Sequence, residues 1–165
     1  DQERLFDENP LQRTQRTHIE PLHSDELQYV SLVDVSKRNK NIERQGSWVK
    51  KEAALVPWYF DALMIGRPGD TMTFRFTGTA VGLVALVHQN GLKIEVTLDG
   101  KEIPGAFTRF HFQFGKFYMF AHGMENVQHE VHLRVAGPSA KLHKLEDPTA
   151  EVGYFAVAHP PQDKG

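Results

Sequence analysis

Cysteine is absent from the 165 residues, and its absence excludes disulfide bridges, thiolate nucleophiles, Cys-ligated zinc and iron–sulfur clusters. Long apolar runs are missing too, since no stretch approaches the roughly 20 residues that cross a bilayer. The opening DQERLFDENPLQRTQRTHIEP is polar where a secretion signal has an apolar core. Charge of one sign is not in excess: 19 Lys and Arg stand against 21 Asp and Glu, with no long basic run. Nucleic acid is therefore a poor candidate partner, because a phosphate backbone needs a basic footprint. An initiator methionine is lacking as well, so the chain reads as a processed or excised piece of a longer polypeptide.

What is present fits one globular domain with a real core. Hydrophobic residues make up 40% and charged residues 24% of the chain, near the globular average, while Phe, at 11, is abundant. Residues 1–27 are polar, carry Pro10 and Pro21 and show no sustained period, which predicts an extended lead-in or linker. The folded domain is expected over 28–159, with 160–165 as a tail.

The hydrophobic pattern is that of strands. Residues 29–35 are rich in β-branched side chains, and a charged loop over 37–45 follows, closed by Gly46. Pro57 introduces an apolar run over 58–65 that ends at the turn Arg67-Pro-Gly-Asp70. Beyond it Met72, Phe74 and Phe76 alternate with Thr71, Thr73, Arg75 and Thr77, as in a half-buried strand. Residues 80–87 are apolar on both faces and predict a strand near the middle of the fold. After the turn Gln89-Asn-Gly91, the residues Leu92, Ile94, Val96 and Leu98 alternate with Lys93, Glu95 and Thr97, and Asp99-Gly100 is a hairpin signal. The aromatic segment 107–121 predicts two strands with a tight connection at Gly115, its Phe residues almost wholly in the core. Residues 129–135 and 152–158 supply the last strands. About nine short strands and no amphipathic helix of three turns predict an all-β, two-layer antiparallel β-sandwich of jelly-roll type.

Three segments carry a family resemblance: Phe76-Thr-Gly-Thr-Ala-Val-Gly82, then Asn90-Gly91 with Val96-Thr-Leu-Asp-Gly100, then Phe107-Thr-Arg-Phe110. Together with Gly123-Met-Glu-Asn-Val-Gln-His129 and Val131-His-Leu-Arg-Val135, this series resembles the β-sandwich accessory domain found beside the catalytic domain of many bacterial SGNH/GDSL-type hydrolases, carbohydrate esterases among them. Trp48, Pro57 and Pro68-Gly69-Asp70 fit its upstream part, so the likeness covers about residues 28–158. It implies a module working beside a tethered catalytic domain, in an extracellular or periplasmic setting. Gly78 and Gly82 are expected to permit close backbone approach. The parent hydrolases carry a Gly-Asp-Ser nucleophile segment and an Asp-x-x-His base segment, and neither occurs here; nor does a G-x-S-x-G elbow. The resemblance thus implies the accessory domain without its enzyme.

Candidate binding residues follow from carbohydrate chemistry. Sugar rings present apolar C–H faces to aromatic side chains, while Arg, Gln and His bind hydroxyls. Trp48, Trp58, Tyr59 and Tyr118 are the candidate platforms, and Arg109, Gln113 and His122 the candidate polar partners, with core packing as the competing role for each Trp. His129 and His132 lie three apart on a strand, hence on opposite faces, and form no chelating pair. His129 is expected to fill a core position with one ring nitrogen hydrogen-bonded. No clustered oxygen ligands suggest a structural Ca²⁺, so no cofactor is expected. Two other readings stay open. A hydrolase site on the sandwich would bring together at least two of His111, His122, His132, Arg109 and Asp61. An assembly domain would use its edge strands.

Overall fold

The computed structural model describes residues 29–52, 60–138 and 147–161, and these contain eleven strands and no helix. One sheet holds β1 (Val30–Asp34), β3 (Val49–Glu52), β4 (Ala62–Gly66), β6 (Ala80–Val87), β9 (Phe114–Ala121) and β11 (Ala150–Ala158). The other holds β2 (Ile42–Gln45), β5 (Thr71–Gly78), β7 (Lys93–Leu98), β8 (Lys101–Phe107) and β10 (Val127–Val135). The six-stranded sheet runs β3-β4-β11-β6-β9, with β1 also paired to β11; the five-stranded sheet runs β2-β5-β10-β7-β8. From β4 onward the chain changes sheet at every connection except the β7–β8 hairpin, which is jelly-roll connectivity.

The two-residue period decides what lies between the sheets. Met72, Phe74 and Phe76 of β5, Ile94 and Val96 of β7, and Val131, Leu133 and Val135 of β10 meet Val81, Leu83 and Ala85 of β6 and Val152, Phe155 and Val157 of β11. Phe74 and Phe155 stack across the interface at 4.5 Å. Strict alternation would send Val152 and Phe155 to opposite faces. A bulge between Val152 and Tyr154 resets the period, so both reach the core.

Turn chemistry closes the hairpin where the sequence predicts it. Asp99 and Gly100 both take positive φ, 51° and 81°, as a tight two-residue connection between twisted strands requires. His129 braces this hairpin from β10: its Nδ1 lies 2.7 Å from Asp99 Oδ2 and its Nε2 2.8 Å from the Glu125 carbonyl oxygen. The ring also packs on Phe76 at 5.5 Å. Both nitrogens are engaged, where one was expected, and both partners are acceptors. The Glu125 hydrogen bond raises the His129 pKa most, burial opposes it, and Asp99 raises it further, so the net shift is upward.

Four sequence expectations are corrected. Eleven strands replace about nine, because β2 lies inside the segment read as a loop over 37–45 and β3 follows Gly46. Both are four-residue edge strands, IERQ and VKKE, almost wholly solvent-exposed, so no buried face imprints alternation on them. Gly115 lies within β9, opposite Leu86, rather than in a tight connection; the link runs over 108–113. Phe107, Phe110, Phe112 and Phe117 are exposed and not core. The strand expected over 58–65 is β4, shifted to Ala62–Gly66; Trp58 and Tyr59 lie outside the described residues.

Candidate functional site

Two adjoining cavities open at one end of the sandwich. One, of about 480 Å³, is lined by Gln89, Asn90, Phe107, Arg109, Phe110 and His111. The second, of about 390 Å³, shares Gln89, Asn90 and His111 and adds His88, Phe112 and Gln113. Together they form one divided groove of the size that holds small ligands.

Two connections build it: the turn after β6 and the loop between β8 and β9. The His88 N–H donates to the Thr108 carbonyl at 3.0 Å, and the Phe110 N–H donates to the His88 carbonyl at 3.0 Å. The buried Thr108 hydroxyl donates to the Leu92 carbonyl at 2.7 Å. Gly91 allows this seam, because the Thr108 carbonyl occupies the place of a side chain at that position. Loop is thereby locked to turn by backbone bonds, leaving the side chains free to face the groove.

Those side chains are aromatic. Phe107, Phe110 and Phe112 are 56%, 43% and 65% exposed, which is costly for phenyl rings unless something covers them. The His111 ring stacks on Phe110 at 4.3 Å and sits 4.5 Å from Phe112, while Phe114 meets Phe110 edge-on at 5.5 Å. Tyr118 on β9 donates its hydroxyl to the Phe107 carbonyl at 2.8 Å. Burial pushes its pKa up to about 12, so this strut keeps its proton.

Polar groups complete the lining. Arg109 Nε donates to the Gln89 carbonyl at 3.3 Å, and Gln89 Nε2 donates to the His111 carbonyl at 3.4 Å. Next to the groove, the buried Glu151 carboxylate stands 3.5 Å from both Lys51 Nζ and His88 Nε2. Burial holds the His88 pKa down against the opposing pull of Glu151; Lys51 lowers it too, and a backbone bond to Thr149 raises it. The net shift is downward, so His88 is neutral at pH 7.

The structure distributes the sequence candidates unevenly. Arg109 and Gln113 line the groove. Tyr118 supports it from beneath, with Lys116 Nζ 5.0 Å from its ring centre. His122 follows the far end of β9, roughly 25 Å along the strand from Phe114. Trp48 is partly buried against the core, covers Gly66 and donates Nε1–H to the Thr71 carbonyl at 2.8 Å. Sequence reasoning missed His88, Gln89, Asn90, Phe107, Phe110 and Phe112. The alternation Phe110-His-Phe-Gln-Phe114 imitates a half-buried strand, and only the position of the loop turns those rings outward.

Of the five residues named for a hydrolase site, Arg109 and His111 do share one cavity. They are near neighbours on one loop, and none of the described lining residues is a carboxylate or a hydroxyl nucleophile. His132 is elsewhere, bonded to Thr73 Oγ1 at 2.8 Å on the outer face of the five-stranded sheet. Asp61 is exposed, its backbone N–H donating to the Tyr154 hydroxyl at 3.2 Å. Among the described residues no group of three or more His, Asp or Glu is placed to hold a metal ion, and no helix is long and apolar enough to cross a membrane.

No family model and no curated protein matches this sequence. Solved structures do match the fold. A two-domain esterase active on acetylated mannans aligns over 84% of this chain and 38% of its own, with a TM-score of 0.66 and 14% identity. A family two carbohydrate esterase from Cellvibrio japonicus aligns over 79% of this chain and 33% of its own, at 0.54 and 14% identity. The CBM36-1 domain of a multidomain xylanase from the hindgut metagenome of Trinervitermes trinervoides aligns over 78% of this chain and 95% of its own, at 0.52 and 9% identity. The class defined is a β-sandwich shared by carbohydrate esterases and a CBM36 module. More particularly, the expected likeness to the β-sandwich accessory domain of carbohydrate esterases holds at the level of fold, and the chain spans less than two-fifths of the length of those esterases.

Proposed function

We propose that this chain is a non-catalytic accessory module of an SGNH-hydrolase-like, bacterial carbohydrate-active enzyme, acting outside the cytoplasm and binding glycan in the end groove. Its folded part would occupy residues 28–159, between a lead-in and a short tail. The observation that carries the reading is the set of exposed rings, Phe107, Phe110 and Phe112, beside Gln89, Asn90, Arg109, His111 and Gln113. Flat apolar faces with amide and guanidinium groups at their margins suit the C–H faces and hydroxyls of a sugar chain. Holding the polysaccharide near a tethered active site raises the local substrate concentration without any new catalytic contact. Affinity electrophoresis through gels containing different polysaccharides tests this. At least one gel should retard the wild type, and Phe110→Ala with Phe112→Ala should restore free migration; equal migration in every gel would refute the reading.

A second reading has its own observation. Val30, Leu32, Phe117 and Met119 are all exposed beside one shallow groove or in register with it on the six-stranded sheet, a surface suited to packing against a catalytic domain. Small-angle scattering of the longer enzyme distinguishes the two. A compact particle that loosens on Leu32→Lys with Phe117→Lys supports packing, and an extended particle indifferent to them excludes it.

A further inference from the structure

We propose that the end groove takes an anionic sugar, one bearing a carboxylate or a sulfate ester, with Arg109 as the counter-charge; this rests on the glycan-binding reading above and specifies its ligand. Arg109 is the one permanently charged side chain among the described residues lining either cavity, and no acidic side chain lines them. Three other arginines of the fold have carboxylate partners: Arg67 pairs with Asp147 at 3.1 Å, Arg75 with Glu130 at 3.0 Å and Arg134 with Glu95 at 2.8 Å, while Arg44 donates to the Val35 carbonyl at 3.0 Å. Arg109 has no such ion pair among the described residues and faces the cavity instead.

Its head group is also held in place. The Nε–H bond to the Gln89 carbonyl uses one donor and leaves both terminal NH₂ groups for a ligand. A guanidinium presents those donors in a planar fork that fits two oxygens of a carboxylate or sulfate. Gln89 is itself tied to the loop by its bond to the His111 carbonyl, so turn, loop and guanidinium form one connected unit. Phe107 and Phe110 line the same cavity, so a sugar ring stacked on either would carry its acidic substituent toward the fork. A neutral glycan would leave that charge uncompensated at the cavity wall, and an acidic one would not.

The test is isothermal titration of the full chain with three ligands of similar length: an oligogalacturonate, a sulfated galactan oligosaccharide and neutral mannopentaose. At low salt one or both acidic ligands should bind about tenfold tighter than the neutral one, and the advantage should shrink as salt rises. Which of the two prevails identifies the anionic group. Arg109→Gln should erase the preference by weakening the acidic ligands far more than the neutral one, and Phe112→Ala should weaken acidic and neutral ligands by the same factor. Arg109 is exposed, so unchanged thermal melting should confirm that the variant folds. Equal affinity for acidic and neutral ligands, a preference insensitive to salt, or a preference that survives Arg109→Gln would overturn the anionic assignment and leave the glycan reading standing. No heat with any of the three, joined to free migration in every polysaccharide gel, would overturn both.

Discussion

On the outer face of the five-stranded sheet the polar side chains pair across strands, whereas much of the outer face of the six-stranded sheet is apolar. Arg75 lies between Glu130, its register partner on β10, and Glu43 on β2. Arg134 meets its partner Glu95, and Thr73 its partner His132. Across the sandwich one row of register partners reads Leu32, Ala156, Gly82 and Met119. Part of that face is closed by its own chain, where Phe60 stacks on Tyr154 at 5.9 Å and clusters with Leu63 and Leu86. The remainder leaves Leu32 60% exposed. Antiparallel sheets facing water alternate polar with apolar residues, and sheets apolar on both sides are normally covered on both. The contrast is what the proposed packing of the six-stranded sheet against a catalytic domain would require, with the five-stranded sheet turned to solvent.

The largest test probes what the two faces share. Phe155, fully buried and stacked on Phe74, supports both sheets, so Phe155→Ala should lower unfolding stability in urea by about 3–5 kcal/mol. A loss confined to one sheet's hydrogen-exchange protection would break the picture of a common core. Next comes Asp70, which accepts backbone N–H bonds from Ser47 and Arg67, both at 2.8 Å. Its burial raises the pKa, but the bonds from Arg67 and Ser47 outweigh it and the net shift is downward. Asp70→Ala should cost about 1–3 kcal/mol at neutral pH. That contribution is present above the unfolded carboxylate pKa, near 3.9, and is lost as pH falls through the lower folded value. Wild type and variant should therefore converge in acid.

His129 titrates in the opposite sense. Its raised pKa makes its contribution fully present below the unfolded value, near 6.5, and lost as pH rises through the folded one. The melting difference between wild type and His129→Gln should be wider at about pH 5 than at about pH 9, and a constant difference would exclude an ionised hairpin brace. The smallest effects sharpen the contrast between faces most. Arg75→Ala should cost no more than about 1 kcal/mol, and Leu32→Lys with Phe117→Lys should each stay within about 0.5 kcal/mol of wild type. Joined to the proposed catalytic domain, only the lysine variants should alter domain packing by scattering; an equal response to Arg75→Ala would remove the distinction.

Legibility followed burial. Strands whose alternate residues enter the core, such as β5, β7 and β10, were readable because burial selects every second side chain. Edge strands β2 and β3 were not, since their stability comes from backbone bonds to β5 and β4 and the side chains carry no period. Within the groove, Arg109 and Gln113 were readable as polar residues among aromatics. His88, Gln89 and Asn90 were not, because a turn signal tells where the chain reverses and says nothing of the loop it will meet.

The amino-acid pattern by itself determined an all-β sandwich, the Asp99-Gly100 hairpin and the absence of thiol chemistry, because alternation, positive-φ turns and residue inventory are local properties. Only the tertiary structure decided that Phe107, Phe110 and Phe112 face a groove rather than the core, and that one sheet keeps an apolar outer face. Both depend on which distant segments come to lie beside them, as Thr108 does beside His88 and β11 beside β1, and a side chain's own sequence neighbours do not specify that.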